Sequence, residues 1–225
     1  MTMKKLVMFD MDGVLFDSMK GHAKAWVRTM SEEGYNFPEA LFYEKEGMTG
    51  RDIISLMVGC RRGEQVHERI YRKKAAYFEE FPPAPPMPGA LEAVRAVNGC
   101  GVTAIVVTGS GQKHLMDRIG EFYPGLFRTE WMVSALDGTK GKPSPEPYLA
   151  GLRKAGVKAE DAVVVENAPL GVMAGKAAGC LVVAVNTGPL PDSCLTDAGA
   201  DLLFHSMDEL ACSMKEILTS GKYIR

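Results

Sequence analysis

Short runs of apolar, often β-branched residues recur along the chain and alternate with amphipathic segments. The predicted strands are residues 6–9, 102–107, 131–133, 162–165, 181–185 and 201–204. Because each run is short, hydrophobic and bounded by glycine, proline or acidic residues, we expect strands that are buried on both faces. Three of the intervening segments, predicted as helices, are residues 90–97, 112–122 and 145–155. This alternation predicts an α/β fold, a doubly wound Rossmann-like core with a parallel sheet.

The segment between the first two predicted strands has a different pattern, because residues 18–86 are almost entirely helical in their periodicity. One apolar stripe consists of Met19, Ala23, Trp26, Val27 and Met30, and a second of Val66, Ile70, Tyr71, Lys74, Tyr77 and Phe78. A proline-rich connector, residues 81–89, follows the second stripe. We therefore predict an inserted α-helical cap domain, residues 17–87, and a core of residues 1–16 and 88–225. The alternative is that the segment belongs to one continuous core.

Composition restricts the possible functions without choosing among them. Of the 225 residues, 46% are hydrophobic and 24% are charged, which is ordinary for a globular enzyme. The net charge of −2 gives no reason to expect nucleic-acid binding, which needs a basic face. No apolar run approaches the roughly 20 residues of a membrane span. The five cysteines are scattered, so neither a disulfide framework nor a zinc site is indicated. We expect a cytoplasmic monomer with a small phosphorylated substrate and no nucleic-acid or membrane partner.

Two carboxylates stand directly after the first predicted strand. Asp10 and Asp12 are two residues apart, and Gly13 permits a sharp backbone turn beyond them. One carboxylate can attack phosphorus as a nucleophile, and the other can serve as general acid and then as base. Two close negative charges also favour a divalent cation, and oxygen ligands favour magnesium. A calcium-binding EF-hand loop is excluded, since it needs a third acidic ligand and an acid where Gly21 stands. A purely structural pair of loop acids is the other alternative.

The next strand ends carry a hydroxyl group and a cation. Thr108, Gly109 and Ser110 follow the second predicted strand, where a hydroxyl and free N–H groups can hold a phosphate. The same residues are equally typical of a helix N-cap. Lys142 stands before a predicted helix, where its ammonium group can neutralise a phosphoryl oxygen and Asp10. As a single lysine it is otherwise a solvated charge.

Possible metal ligands follow the predicted strand at residues 162–165. Glu166 and Asn167 offer a carboxylate and an amide oxygen, both of which a hard cation accepts. Asn167 is also a reasonable cap for the following helix. Since the carboxyl ends of parallel strands share one edge of a sheet, these groups are expected to meet there. Together they predict a phosphoryl-transfer site.

The full set of motifs resembles the haloacid dehalogenase superfamily, in its β-phosphoglucomutase-like branch with a helical cap. The matching segments, in order, are Asp10-Met11-Asp12-Gly13-Val14-Leu15, Thr108, Lys142 within a Gly-Lys-Pro-x-Pro-x-Pro-Tyr string, and Glu166-Asn167-Ala168-Pro169-Leu170-Gly171. The resemblance covers essentially the whole chain. It implies that Asp10 is the nucleophile and Asp12 the general acid/base. It also implies magnesium held by Asp10, the Asp12 carbonyl and Asn167, with Glu166 nearby or acting through water.

One position departs from the commoner family pattern, in which the fourth motif has Glu-Asp where this chain has Glu166-Asn167. The loss of a carboxylate lowers the negative charge of the site, so weaker metal binding is expected. An amide oxygen still coordinates, so the departure does not indicate an inactive site.

Three cap residues are candidates for substrate binding: His22, Glu46 and Arg51. His22 matches a position that the mutase uses to assist its acid/base, although a single histidine on a helix is more often structural. A glycine-rich turn between Glu46 and Arg51 is expected to point both side chains at the core. The Glu-Gly-x-Thr-Gly string, Asn167 and residues 185–190 look similar to a pyrophosphatase-like subset of the branch. Arg51 matches the phosphate-gripping arginine of the mutase about as well.

We therefore favour hydrolysis of inorganic pyrophosphate or another small phosphorylated metabolite. A β-phosphoglucomutase-like phosphosugar mutase is the nearest alternative. A dehalogenase is disfavoured because those members lack the second aspartate, which Asp12 supplies here. A non-catalytic binding protein on the same fold is the remote alternative, since every acid, hydroxyl and lysine of the catalytic set is in place.

Overall fold

The structure is a computed structural model that describes residues 3–59, 63–111 and 113–220, excluding the side chains of residues 113–116 and 220. Its sheet has five parallel strands, β1 (Leu6–Phe9), β2 (Thr103–Val106), β3 (Ala162–Glu166), β4 (Leu181–Val185) and β5 (Leu202–Phe204). The spatial order is β2-β1-β3-β4-β5. Because β1 lies between β2 and β3, the end of β1 is near the centre of the sheet edge. The predicted α/β fold is confirmed.

Ten helices accompany these strands in the described parts of the chain. They are α1 (Met19–Glu32), α2 (Glu39–Glu44), α3 (Gly50–Val58), α4 (Gly63–Glu79), α5 (Ala90–Gly99), α6 (Lys113–Phe122), α7 (Glu146–Ala155), α8 (Pro169–Ala177), α9 (Asp192–Asp197) and α10 (Met207–Ser220). The predicted helices at 90–97, 112–122 and 145–155 correspond to α5, α6 and α7, although Gln112 lies outside the described residues. None of the described helices is long and apolar enough to cross a membrane.

The strands are buried on both faces, as their continuous hydrophobicity predicts. Val7 and Phe9 of β1 pack into one hydrophobic cluster with residues of α5 and α10. Leu6 and Met8 face the opposite side and pack with residues of α7 and α8. All four β1 side chains are fully buried, so alternate residues of one strand serve both layers.

The prediction of a strand at residues 131–133 is wrong. Thr129–Trp131 form a short 3₁₀ turn, and only Val133 pairs with the sheet, through an isolated parallel bridge to Val107. The Val133 N–H donates to the Val106 carbonyl at 3.0 Å, and its carbonyl accepts from Thr108 N–H at 2.9 Å. The apolar run belongs to a loop beside β2, and the buried Val133 is the residue that anchors this loop to the sheet.

Helices α1 to α4 have a hydrophobic cluster of their own, built from Ala23, Trp26, Met30, Phe42, Ile53, Ile54 and Ile70. The predicted stripe on α1 supplies three of these residues, and Ile70 comes from the stripe on α4. The two segments that join these helices to the rest of the chain, residues 15–17 and 85–87, lie side by side. Asp17 N–H donates to the Pro85 carbonyl, and Met87 N–H donates to the Leu15 carbonyl. These helices are therefore packed mainly against one another.

Candidate active site

Asp10 follows β1 and forms a buried ion pair with Lys142. Lys142 Nζ lies 2.5 Å from Asp10 Oδ1 and 2.6 Å from Glu166 Oε1, and its side chain is 1% exposed. Burial raises the pKa of Asp10 to about 7, against the opposing effect of Lys142. Burial alone lowers the pKa of Lys142, but its two carboxylate partners outweigh this effect and raise the pKa above its usual value. The lysine is therefore held as a cation between two acids.

Glu166 is held on every side by core residues. The Tyr148 hydroxyl donates to Glu166 Oε1 at 2.5 Å, and Asn167 N–H donates to Oε2 at 3.1 Å. Gly171 makes room for the carboxylate, because a Cβ there would lie 1.9 Å from Glu166 Oε1. Tyr148 is the last residue of the Gly-Lys-Pro-x-Pro-x-Pro-Tyr string. Nothing in the sequence distinguishes it from an ordinary buried helix residue, so its contact with Glu166 was not predicted.

Asn167 connects the core to Glu46, on the loop after α2. Asn167 Nδ2 donates to Glu46 Oε1 at 2.8 Å, whereas Asn167 Oδ1 is buried without a hydrogen-bond partner. Gly13 permits this approach, since its φ is +77° and a Cβ there would lie 2.0 Å from Asn167 Nδ2. Burial raises the pKa of Glu46 well above its usual value, and the nearby carboxylates of Asp10, Glu166 and Asp12 raise it further.

The donors around this orphaned oxygen fit magnesium better than a softer metal. Asn167 offers the unpartnered amide oxygen, Asp10 lines the neighbouring cavity with a carboxylate, and the family resemblance adds the Asp12 carbonyl; hard cations prefer such oxygen ligands. Within the described residues, no three His, Cys, Asp or Glu side chains form a ready metal cluster. A divalent ion here therefore depends on amide and main-chain oxygens as well as on carboxylates.

Asp12 is connected to two cap helices. Ser18 Oγ donates to Asp12 Oδ1 at 2.5 Å, and His22 Nε2 lies 3.2 Å from the same oxygen. His22 Nδ1 in turn lies 2.5 Å from Lys74 Nζ, on α4. Burial raises the pKa of Asp12, but His22 and Ser18 outweigh it and leave the pKa below its usual value. Burial lowers the pKa of Lys74 to about 7.

Lys74 is a site-lining residue that the sequence did not indicate. It belonged to the predicted stripe of α4, and such a stripe is typical of a packing face. The structure places it 3% exposed, with its ammonium 4.9 Å from the centre of the Phe78 ring. A lysine in the middle of an otherwise apolar stripe was the available signal, because a buried lysine needs a partner.

The loop after β2 lies beneath the turn that follows Glu46. Ser110 N–H donates to Thr108 Oγ1 at 3.0 Å, and Thr108 is 2% exposed. At Gly109 a Cβ would lie only 2.7 Å from the Gly47 carbonyl oxygen. A Cβ on Gly47 would in turn lie 2.8 Å from Lys142 Cδ. The two glycines therefore let the cap backbone rest directly on the core loop.

Some of these groups line a cavity of about 70 Å³, whereas Lys142, Glu166 and Asn167 are not among its lining residues. Among its lining residues are the predicted Asp10, Asp12, His22, Glu46, Thr108, Gly109 and Ser110. Arg51 is not among them. Its side chain is 70% exposed, and its Nη1 lies 3.6 Å from Glu64 Oε1 on α4. Glu46 thus points at the core as expected, whereas Arg51, one residue into α3, points towards α4.

Comparison with known proteins assigns the chain to a family. The family model for haloacid dehalogenase-like hydrolases matches residues 4–179. The chain is a haloacid dehalogenase-like hydrolase. It is therefore an enzyme, and the predicted superfamily is confirmed. Hexitol phosphatase A of Escherichia coli K12 is 30% identical over 205 residues, which are 90% of this chain and 91% of that protein.

Two further relatives are similar over nearly the whole chain. Validoxylamine A 7'-phosphate phosphatase of Streptomyces hygroscopicus subsp. limoneus is 28% identical over 210 residues, 92% of this chain and 96% of that protein. A solved structure from Bacteroides vulgatus, provisionally assigned as a beta-phosphoglucomutase, is 46% identical with a TM-score of 0.90. That match covers 96% of this chain and 89% of the other. The named relatives support a phosphatase, and the structural match supports the β-phosphoglucomutase-like branch.

Proposed function

We propose that this hydrolase cleaves small phosphorylated metabolites with magnesium, and that inorganic pyrophosphate is the favoured substrate. The observation that carries the proposal is the buried Asp10–Lys142 pair at the end of β1, facing a small cavity that Asp12 and Thr108 also line. A nucleophile, an acid/base, a hydroxyl and a cation are the groups that phosphoryl transfer needs.

In the proposed mechanism a carboxylate oxygen of Asp10 attacks phosphorus, and the bond from phosphorus to the leaving oxygen breaks. Asp12, which must first take up a proton because its pKa is held below the usual value, gives that proton to the leaving oxygen. Asp12, now ionised, then takes a proton from water, whose oxygen attacks the aspartyl phosphate and releases phosphate and free Asp10. His22 and Ser18 orient the Asp12 carboxylate during both steps.

The charge that builds on the phosphoryl oxygens requires cations and hydrogen-bond donors. Lys142 supplies a fixed positive charge, and the Thr108 hydroxyl, oriented by the Ser110 N–H, supplies a donor together with the Gly109 N–H at the end of β2. When bound, magnesium offsets the charge on the transferring phosphoryl group. Asp10, the Asp12 carbonyl and Asn167 would hold it, with Glu166 nearby or acting through water.

The preference for pyrophosphate rests on Glu46. We propose that residues 17–87 act as a cap domain that closes over the site, with 1–16 and 88–225 as the core. The carboxyl group of Glu46, which lines the cavity of about 70 Å³, then accepts a hydrogen bond from Asn167. This buried group suits a compact pyrophosphate–magnesium complex better than a sugar ring, because a bound cation would hold it ionised against the rise in pKa that burial causes.

Phosphorylated sugars or polyols are the second candidate class. They are favoured by the relatives, since the enzyme from E. coli is named for hexitol phosphates and the one from Streptomyces for a validoxylamine phosphate. A phosphosugar mutase would also have to bind a second phosphate group of its substrate. The exposed pairing of Arg51 with Glu64 argues against that role for Arg51 in this conformation.

A phosphate-release screen with magnesium tests the proposal. Pyrophosphate, hexitol phosphates, glucose 1-phosphate and nucleotides would be compared for the parent protein and for Asp10→Asn. We expect the substitution to reduce turnover of the best substrate by about 10⁴-fold or more, because it removes the nucleophile. Asp161→Asn is the matched control, since Asp161 precedes β3 at the opposite end of the sheet and its side chain pairs with the exposed Lys5. Equal turnover by the parent and Asp10→Asn would refute the mechanism. Dominant glucose 6-phosphate formation from β-glucose 1-phosphate would favour the mutase.

A further inference from the structure

The catalytic cavity borders a second, larger space on the cap side. This groove has a volume of about 630 Å³ and lies between α3, α4 and the loop after Ser134. The cavity and the groove have three lining residues in common, Gly50, Tyr71 and Gly109. Two of the three are glycines without side chains. Tyr71 is therefore the shared residue whose side chain can separate the two spaces.

Close packing holds the Tyr71 ring in that position. Tyr71 lies on α4, and at Gly50 a Cβ would lie 2.3 Å from Tyr71 Cε2, so the ring rests on the bare Cα of Gly50. The Tyr71 hydroxyl also lies beside Gly111, in the loop after β2, where a Cβ on Gly111 would be 4.0 Å from it. The ring thus extends from the cap to the core loop across the boundary.

The chemistry of the groove differs from that of the cavity. The charged side chains that line the groove are Arg51, Glu64 and Glu68, and Arg51 pairs with Glu64 at 3.6 Å. The groove therefore carries no excess of positive charge. Leu136, 77% exposed, adds apolar surface. A second phosphate would find no net positive charge there. A neutral, partly apolar leaving group fits the groove better.

We propose that the Tyr71 ring sets the size limit of the leaving group by closing the catalytic cavity off from the groove. The inference rests on the proposed phosphatase function and names the residue that selects among its substrates. With the ring in place, compact phosphates fit the cavity. Without it, the two spaces join, and the tail of a longer phosphomonoester enters the groove while its phosphate stays at Asp10.

The test compares two primary alkyl phosphates of different length, glycerol 1-phosphate and a hexitol 6-phosphate. Their leaving groups are chemically alike, so the ratio of their kcat/KM values reports size. We expect Tyr71→Ala to raise the hexitol-to-glycerol ratio by about tenfold or more, within the range that pocket size gives. Tyr71→Phe keeps the ring and loses only the hydroxyl, so its ratio should stay within about twofold of the parent value.

Three outcomes would overturn the inference. They are a ratio for Tyr71→Ala within twofold of the parent, an equal rise for Tyr71→Phe, and a parent protein that cleaves both esters equally well. Because Tyr71→Ala risks misfolding, Tyr71→Leu would be measured beside it, with thermal melts of all variants. The leucine should give an intermediate ratio, since it only partly fills the boundary, and an unchanged ratio for a folded Tyr71→Leu would count against the inference.

Failure of the proposed function can be told apart from failure of this inference. The ester pair contains no pyrophosphate, so a parent protein inactive on pyrophosphate would refute that preference and leave the size test intact. Calorimetric binding of both esters to Asp10→Asn, alone and combined with Tyr71→Ala, repeats the comparison without turnover. Tighter binding of the hexitol ester when the ring is removed supports the role of Tyr71, and unchanged relative affinity overturns it.

Discussion

The site has two halves that are built differently, one from the core and one from the cap. In the core half, Lys142 contacts both Asp10 and Glu166, and Tyr148 completes the network with a hydrogen bond to Glu166. Asp10 and Glu166 lie at the ends of the neighbouring strands β1 and β3, and Lys142 and Tyr148 lie before and within α7. In the cap half, Glu46 reaches the core through one hydrogen bond to Asn167, and other cap side chains act through Asp12.

This difference indicates which half is rigid and which depends on closure. The core half is an ion network of side chains that are almost fully buried, and the loss of Lys142 leaves two buried carboxylates without their cation. The cap half has its correct geometry only while the cap rests on the core loop. We therefore expect core substitutions to affect stability and all substrates together, and cap substitutions to affect substrates selectively.

The largest effect is expected for Lys142→Met. The change leaves the buried carboxylates of Asp10 and Glu166 without their cation, which costs about 3–5 kcal/mol of unfolding free energy. Turnover of every substrate should fall on the order of 10³-fold, because a fixed positive charge is lost beside the transferring group. Urea denaturation and phosphate release measure the two effects.

Lys154→Met is the matched control for that substitution. Lys154 pairs with Asp137 at 2.7 Å, but both side chains are about one-third exposed, so its loss should cost less than about 1 kcal/mol. If the two variants lost the same stability, the buried network would not be the stabilising element proposed for the core half.

A smaller and more selective effect is expected for Glu46→Ala. The Glu46 carboxyl group contacts Asn167, which is one of the proposed magnesium ligands. Its loss should misplace the pyrophosphate–magnesium complex, so pyrophosphate turnover should fall about 10²-fold. Turnover of a bulky phosphate ester should fall far less. Phosphate-release assays on both substrates give the ratio.

The exposed Glu44, two residues earlier on α2, supplies the control. Glu44→Ala removes a carboxylate of the same segment that does not line the cavity, so both activities should remain near the parent values. Equal losses on pyrophosphate and on the ester for Glu46→Ala would remove the argument that the cap selects the substrate.

The same two halves explain how much the sequence alone could reveal. Asp10, Thr108 and Asn167 lie one or two residues after the ends of β1, β2 and β3. Parallel strands bring such positions to one edge of the sheet, and this does not depend on how individual side chains pack. The α/β fold and the superfamily were predictable for the same reason and are confirmed. The roles of the site residues, the domain boundaries, the monomeric state and the cytoplasmic location stay predictions.

The cap residues were harder to predict because their direction depends on helix phase and on docking. Arg51 matched a family position, yet its place in the first turn of α3 turns it towards Glu64. Lys74 and Tyr71 lay in a stripe whose periodicity indicates only that one face is buried. The packing of the cap on the core determines which surface covers that face. The local sequence does not predict this packing.

The smallest effect, and the most direct test of cap docking, is expected for Gly109→Ala. A Cβ there would lie 2.7 Å from the Gly47 carbonyl oxygen, so the cap backbone must move away by tenths of an ångström. The displacement should lower kcat/KM for pyrophosphate about tenfold, because the cap half loses its alignment with the core half, and the melting temperature should change little. Gly111→Ala is the control, since its Cβ would meet Ala135 and Leu136 at an ordinary 3.7 Å. If both alanines reduced activity equally, loop flexibility would explain the loss, and the close contact between Gly109 and Gly47 would have no special part in closing the site.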